Sequence, residues 1–171
     1  MNKTKRLIIL AVIFVIAFGG FMLYNSRFLG DTLDSRTAIL QREGEGVTVY
    51  REVVYDSAQT ALFDEIYDAD GRCGIAAFVR NARGDGYNLR ACEWKPVGEV
   101  VHATVQVNGA WYHLFLLSAP ELERAEFLLT HQNGTTETWS QSADGILLVE
   151  MPKDNHDIEV VYYDKYGTAY Q

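Results

Sequence analysis

An uncharged, apolar run over residues 7–24 is the strongest constraint in this sequence, and it follows a short basic stretch at residues 1–6. At about 1.5 Å rise per residue, a helix of this length covers most of a hydrocarbon core of roughly 30 Å. Lys3, Lys5 and Arg6 precede the run, and cationic flanks are retained on the cytoplasmic side of a membrane. The run therefore predicts one transmembrane helix over residues 7–24, with residues 1–6 in the cytoplasm and the rest of the chain outside.

A cleaved signal peptide is the competing interpretation of this segment. Signal peptides have a shorter apolar core, of about 7 to 15 residues, with small residues at the cleavage site. Here the small residues Ala17, Gly19 and Gly20 lie inside the run and are followed by further apolar residues. We therefore expect a single-pass protein of the cell membrane that contacts the bilayer through residues 7–24. The alternative is a secreted protein released by cleavage.

The part of the chain beyond the apolar run is strongly acidic. All 23 acidic residues follow Gly30, but only 11 of the 15 basic residues do, so residues 31–171 carry a formal net charge of −12. Nucleic-acid binding depends largely on Lys and Arg side chains that neutralise phosphates. The charge therefore argues against a nucleic-acid partner, and it fits a solvated domain or one that meets cations or a basic partner.

Most of the remaining sequence has the pattern of short β-strands separated by turn residues. Residues 47–55 are rich in β-branched and aromatic side chains, which is typical of a strand. Ser57 can cap a helix over residues 58–68, in which apolar residues fall along one side and acidic residues largely away from it. No second helix is predicted between the later strands, so the pattern indicates antiparallel sheets in a meander or sandwich.

These elements predict a mainly β protein of the α+β class. A transmembrane helix is followed by an extracytoplasmic, antiparallel β-rich domain that contains one helix. In this prediction, residues 25–46 form a membrane-proximal linker, in which residues 30–46 can instead form a short helix. Residues 47–118 form a mixed β module with the helix, and residues 121–171 form a small sandwich-like β module. The sequence leaves open whether the two modules share one core.

Asn108-Gly109 is a strong hairpin signal, because both central residues of a type I′ turn have positive φ. Pairing outward from this turn places Ala103 opposite Leu114 on a face that is entirely apolar. A slip by one residue would move every one of these side chains to the other face, so the register is well specified.

Asn133-Gly134 repeats this signal nearer the C-terminus. Treated as another two-residue turn, it places Leu128 opposite Trp139. The pair therefore predicts a second hairpin inside the C-terminal module.

Cys73 and Cys92 are the two cysteines of the chain. They fall on the two predicted strands of one hairpin, on either side of a turn at residues 82–86. An even cysteine count in an oxidising compartment favours a disulfide. We expect Cys73 and Cys92 to form one, and the alternative is two separate buried thiols.

Trp111, Phe115, His102 and His113 share the opposite face of the hairpin that turns at residues 108–109. Aromatic side chains are enriched in the cores of protein interfaces, so we predict that this face binds a protein or cell-envelope partner. Two imidazoles could supply two ligands of a zinc site, but the face contains no third ligand. We therefore predict no metal and no cofactor. The competing interpretation is that the helix or the second module covers this face.

No linear motif assigns catalytic residues, because a Gly-x-Ser-x-Gly elbow, a His-Glu-x-x-His pair and a phosphate-binding loop are all missing from the sequence. The sequence therefore predicts a single-pass, membrane-anchored extracytoplasmic binding module whose ligand is unknown. The alternative is an envelope enzyme with an active site between the two β modules, in which His102 or His113 acts as acid or base. A cleft with a carboxylate against an imidazole would favour the enzyme.

Overall fold

The structure, a computed structural model, describes residues 12–22, 28–119, 121–152 and 156–170. These residues form two helices and eleven strands, and the protein is mainly β with antiparallel sheets, as predicted. Helix α1 covers residues 12–22. The remaining elements are α2 (Leu33–Leu40), β1 (Thr48–Val54), β2 (Ala61–Tyr67), β3 (Arg72–Arg80), β4 (Tyr87–Pro96), β5 (Val100–Val107), β6 (Ala110–Leu117), β7 (Leu122–His131), β8 (Thr136–Ser142), β9 (Leu147–Glu150), β10 (His156–Asp164) and β11 (Ala169–Tyr170).

The predicted transmembrane segment lies partly outside the described residues. Helix α1 accounts for residues 12–22 of the apolar run, and most of its side chains are exposed. Residues 7–11 and 23–24 fall outside the described part of the chain. Within the described part, no helix has the length and hydropathy needed to cross a bilayer. The membrane anchor therefore stays a prediction.

The described strands form three antiparallel sheets. The first sheet has the strand order β1-β2-β3-β4, the central sheet β5-β6-β9, and the outer sheet β11-β10-β7-β8. Strand β9 belongs to the predicted C-terminal module, yet it pairs with β6 of the preceding one. The central sheet is therefore built from both predicted modules.

The central sheet packs between the other two sheets around β6, which is buried on both faces from His113 onward and gives three β layers there, whereas alternate residues of β5 stay exposed. One face contributes Val105 and Leu114 to a cluster with Phe63 of the first sheet. The other face contributes Phe115 to a cluster with Phe127 of the outer sheet. Burying each such side chain contributes roughly 1.5–3 kcal/mol, so the apolar alternation along β5 and the continuous apolar run at residues 114–117 of β6 favour this layering.

Helix α2 lies within the predicted linker and packs against the remaining face of the first sheet. Thr32 and Ser35 form a reciprocal capping box, with Ser35 N donating to Thr32 Oγ1 at 3.2 Å and Thr32 N donating to Ser35 Oγ at 3.1 Å. Such a box satisfies backbone donors at the helix start. Leu40 is fully buried in a cluster with Phe78 of β3. Part of the predicted linker is therefore fixed to the β domain.

The helix predicted over residues 58–68 is wrong, because this segment contains strand β2. Strand β2 lies between β1 and β3 and is buried on both faces. Phe63 faces the central sheet, whereas Ile66 faces α2. Asp64, read from the sequence as part of an exposed helix face, is fully buried against Arg36. A strand that is buried on both faces does not alternate between apolar and polar residues. The buried Asp64 was therefore read as part of a polar helix face.

The hairpin at residues 108–109 has the predicted register. Ala103 pairs with Leu114, and φ is 52° at Asn108 and 86° at Gly109. Both values fit the type I′ turn that an Asn-Gly pair favours. The prediction for this hairpin is therefore confirmed.

The hairpin at residues 133–134 exists, but its predicted register is wrong by one residue. Leu128 pairs with Thr138 instead of Trp139. Of these two turn residues only Gly134 has positive φ, at 82°, and Thr130 pairs with Thr136, so four residues, 132–135, connect β7 to β8. A longer loop with one left-handed residue replaces the two-residue turn and shifts the pairing.

The predicted disulfide between Cys73 and Cys92 is wrong, because both cysteines are free. Cys73 pairs with Lys95 across the β3–β4 ladder, and Cys92 pairs with Ala76, so the two are offset by three residues. An odd offset in a pleated sheet places side chains on opposite faces, and three residues correspond to about 10 Å. Cys73 accordingly packs toward the central sheet and Cys92 toward α2. This arrangement does not meet the short Cα–Cα distance of a disulfide.

Candidate functional site

A cleft of about 400 Å³ opens where the first sheet meets the segments that lead into and out of the outer sheet. Its walls come from both predicted modules, with β1 and β2 on one side and the end of β6, the start of β7 and the β8–β9 connection on the other. Ligands bind preferentially in such concave sites. The polar side chains that line the cleft are Tyr50, Arg51, Glu65, Tyr67, Ser118, Glu121 and Asp144.

A β-bulge shapes the wall that β1 contributes. Arg51 lies opposite Glu65 on β2, but the register shifts between Val49 and Arg51, so Tyr50 is an extra residue. Bulges re-aim side chains and are over-represented next to active sites. Tyr50 is 69% exposed and lines the cleft at this bulge.

Glu65 and Tyr67 continue the face of β2 that holds Phe63, because alternate residues of a strand share a face. Phe63 packs on the central sheet, and the two polar residues lie where this core gives way to the cleft. The Tyr67 hydroxyl donates to Glu65 Oε1 at 3.0 Å and lies 2.5 Å from Ser118 Oγ. Burial raises the pKa of Tyr67, and Glu65 raises it further against the opposing bond with Ser118. The phenol therefore stays protonated at neutral pH.

The second oxygen of Glu65 is the most unusual atom of the cleft. Glu65 is 5% exposed, and Oε2 has no hydrogen-bond partner among the described residues. Arg51 Nε lies 3.7 Å from Oε2, which is an ion-pair contact too long for a hydrogen bond. A buried acceptor without a donor costs about 1–3 kcal/mol. A ligand that brings an N–H donor to this oxygen would remove that cost.

Arg51 and Asp144 connect the two walls of the cleft through a salt bridge. Their side chains are 38% and 81% exposed, and exposed pairs of this kind contribute little to stability. Near them, Lys165 Nζ lies 3.0 Å from Glu121 Oε2 in another exposed pair. The exposed charges of the cleft are thus loosely held, whereas Glu65 is fixed by burial.

All four histidines of the chain lie in one row that crosses from the central sheet to the outer sheet. His102 Nε2 lies 2.8 Å from His113 Nδ1, and His113 Nε2 lies 2.9 Å from His156 Nε2. His156 faces His131 across the β7–β10 ladder, and His131 Nε2 lies 3.2 Å from Glu137 Oε1. We call these four residues the histidine row.

Burial favours the neutral imidazole at two adjacent positions of the histidine row, His102 and His113. Burial, together with repulsion from His102 and His156, lowers the pKa of His113 to about 4. Burial also lowers the pKa of His102, against an opposing effect of Glu93. Among the described residues, no group of three or more His, Cys, Asp or Glu side chains is arranged to hold a metal ion. The ring nitrogens of His102, His113 and His156 contact one another.

The predicted binding surface is divided between buried and exposed side chains. Phe115 and His113 are 3% and 8% exposed, and Phe115 contacts Phe127 of the outer sheet with ring centroids 5.7 Å apart. Trp111 is 48% exposed, and His102 is exposed while its ring stacks on Phe115 at 4.6 Å. A partner could therefore reach Trp111 and His102. The binding role of the four residues stays a prediction.

Sequence reasoning missed the cleft residues because it placed Glu65 and Tyr67 on or beside a helix. The contiguous apolar triplet at residues 61–63 was a usable signal for a strand buried on both faces, with residues 63, 65 and 67 on one side. His156 was missed for another reason. It lies 43 residues from His113, and the packing of the outer sheet brings the two together.

No protein-family model, curated protein or solved structure matches this chain.

Proposed function

We propose that this protein is a membrane-anchored, extracytoplasmic binding module that receives an ammonium group of its ligand in the cleft beside Glu65. The observation that carries the proposal is the buried Glu65 Oε2 atom, which has no hydrogen-bond partner among the described residues. In this proposal the apolar run at residues 7–24 holds the protein at the membrane. The β-rich part then presents the cleft to a ligand or a cell-envelope partner outside.

The composition of the cleft supports a cationic ligand. Among the described residues, three carboxylates, Glu65, Glu121 and Asp144, line the cleft, and two cations, Arg51 and Lys165, contact them. An ammonium group carries three donors and no acceptor, so it can bond to Glu65 Oε2 without opposing that oxygen. The exposed ring of Tyr50 adds a face that attracts cations. The strongly acidic composition of residues 31–171 favours the same ligand charge.

Binding is better supported than catalysis. His102 and His113 are the acid–base candidates of the enzyme alternative, and neither lines the cleft. None of the described residues that line the cleft is a histidine or a cysteine. The envelope enzyme with an active site between the modules stays a prediction that no described arrangement of side chains favours.

Calorimetric titration of the full-length protein in detergent micelles tests the ligand class. The probe is N-acetyl-lysine amide, with N-acetyl-norleucine amide as a control that lacks only the ammonium group. N-acetyl-glutamate amide tests the sign of the charge. We expect saturable binding of the lysine probe alone, with an affinity in the roughly millimolar range that is common for a small fragment.

Two variants test whether the lysine probe binds beside Glu65. Glu65→Gln keeps the shape of the side chain and removes its charge, so it should weaken lysine-probe binding by roughly tenfold or more. Glu126→Gln is the matched control, since Glu126 is exposed on the outer sheet and does not line the cleft. Equal affinity in wild type and Glu65→Gln, or preferential binding of the glutamate probe, would contradict the proposal.

Protease treatment of intact cells tests the anchor separately. External protease should remove the domain and leave a small membrane fragment that contains residues 7–24, because the cationic flank holds the N-terminus inside. Recovery of a released protein that begins near Gly20 would establish cleavage instead.

A further inference from the structure

We propose that the histidine row is an acid-sensitive contact that holds the outer sheet against the central sheet at neutral pH and loosens when the surroundings become acidic. The proposal goes beyond the ligand cleft and does not depend on it. It rests on the placement of the chain's four histidines across the boundary between two β layers.

The decisive contact joins His113 on β6 to His156 on β10. Their nearest ring nitrogens are 2.9 Å apart, and their ring centroids are separated by 5.2 Å with planes at 86°. His113 is 8% exposed and stacks near Phe115, whose ring packs on Phe127 of the outer sheet. The polar contact therefore lies at the rim of the apolar cluster that unites the two layers.

Neutral imidazoles satisfy this geometry. Each neutral ring has one N–H donor and one acceptor nitrogen, so His113 can donate to one neighbour and accept from the other. If two adjacent rings take up protons, an N–H group faces another N–H group. Two positive charges then lie about 5 Å apart in partly buried surroundings, as the centroid distances of 5.0 and 5.2 Å show. At that separation the repulsion is substantial.

Two carboxylates and one apolar side chain lie next to the histidine row. Glu93 on β4 raises the pKa of His102 against the larger lowering effect of burial, and Glu137 on β8 contacts His131. The cross-strand neighbour of His113 on β9 is the apolar Val149. A positive charge on His102 or on His156 would therefore lie next to His113, whose pKa burial lowers.

The direction of the pH dependence follows from this middle ring. The pKa of His113 is lowered from 6.5 to about 4. As the pH falls below 6.5, the state with separated sheets takes up protons more readily than the packed state. The contact therefore has its full stability above this value and loses it progressively down to about pH 4.

Hydrogen exchange of the full-length protein in micelles, followed by mass spectrometry, tests the proposal. Exchange is compared at about pH 7.5 and about pH 4.5, with rates corrected for the intrinsic effect of pH. Peptides from β7 and β10 should lose roughly tenfold or more of their protection on acidification, relative to peptides from β2 and β3. Equal loss in both sets of peptides would overturn the proposal.

Two variants assign the effect to the middle of the row. His113→Phe removes the titrating group in apolar surroundings, so protection of β7 and β10 should become the same at both pH values. His131→Gln, at the end beside Glu137, should keep most of the acid response. An unchanged acid response in His113→Phe would overturn the proposal.

Two further measurements cover other outcomes. If His113→Phe does not fold, the four histidine ring signals of the wild-type protein can be titrated by NMR. His113 should then titrate near pH 4, and a value at or above 6.5 would overturn the proposal. Protection of β7 and β10 by added Zn²⁺ at about pH 7.5 in wild type, but not in His113→Phe, would overturn it in favour of a metal site.

Discussion

Arg36 of helix α2 and Asp64 of strand β2 form a buried ion pair that joins this helix to the first sheet. Arg36 Nε donates to Asp64 Oδ2 at 2.8 Å, and the two side chains are 3% and 0% exposed. Glu52 on β1 contacts the same guanidinium from a more exposed position. Burial raises the pKa of Asp64, and Arg36 opposes that shift. Each of the two buried charges therefore offsets the desolvation cost of the other.

Removing one partner of this pair should be strongly destabilising. Arg36→Met leaves Asp64 buried without its cation, and we expect a loss of about 3–5 kcal/mol. The double variant Arg36→Met, Asp64→Leu should regain much of that loss, because it leaves no buried charge. Urea unfolding midpoints measure both effects, and Arg124→Met is the control because Arg124 is half exposed in a surface pair. A single variant that unfolds like the control would contradict this interpretation.

The apolar face of the hairpin at residues 108–109 should tolerate little change. Leu114 is 0% exposed, so Leu114→Ala should cost about 2–5 kcal/mol through lost burial and a residual cavity. Gly109 has a φ of 86°, and Gly109→Val should also destabilise the protein because β-branched residues resist positive φ. Tyr166→Ala is the control, since Tyr166 is 77% exposed. Denaturant midpoints equal to that of the control for both variants would refute the assigned register.

Both cysteine thiols should react slowly with alkylating reagents while the protein is folded. Cys73 is buried, and burial raises the pKa of Cys92 to about 11, so alkylation of the native protein at about pH 8 should be slow. After denaturation without reductant, both thiols should be alkylated. Intact mass measures the number of added groups. If two thiols became available only after reduction, the result would contradict the free cysteines and support a disulfide between Cys73 and Cys92.

Trp111→Ala and Phe115→Ala separate the exposed and buried parts of the predicted binding surface. Phe115 is 3% exposed between two β layers, so its removal should cost about 3–5 kcal/mol. Trp111 is 48% exposed, so its removal should cost much less. Thermal unfolding of the two variants checks this order, and a Trp111 variant at least as unstable as the Phe115 variant would reverse it.

Local chemistry explains which parts of the fold could be predicted from the sequence. The hairpin at residues 108–109 was predictable because its turn requires positive φ at two adjacent positions and β5 alternates apolar and polar residues. The hairpin at residues 133–134 has the same Asn-Gly pair but a longer loop, so the same argument placed Leu128 one residue away from its actual pairing. Turn composition alone does not fix the loop length.

The candidate site could not be predicted because it depends on contacts between distant segments. Asp64 and Glu65 are buried in a strand, where their charges are offset by Arg36 and approached by Arg51. The sequence pattern of an isolated segment contains no information on those partners. The histidine row was partly predictable, since His102 and His113 share a hairpin face, but His156 joins them through the packing of a separate sheet.

Chemical-shift mapping of the full-length protein during titration with N-acetyl-lysine amide tests the proposed ligand cleft most directly. The largest saturable changes should occur at Tyr50, Glu65, Tyr67 and Ser118, because their side chains line the cleft around the buried carboxylate oxygen. The same titration of Glu65→Gln should leave these signals nearly unchanged. Saturable changes centred on Trp111 and His102, with none in the cleft, would contradict binding beside Glu65.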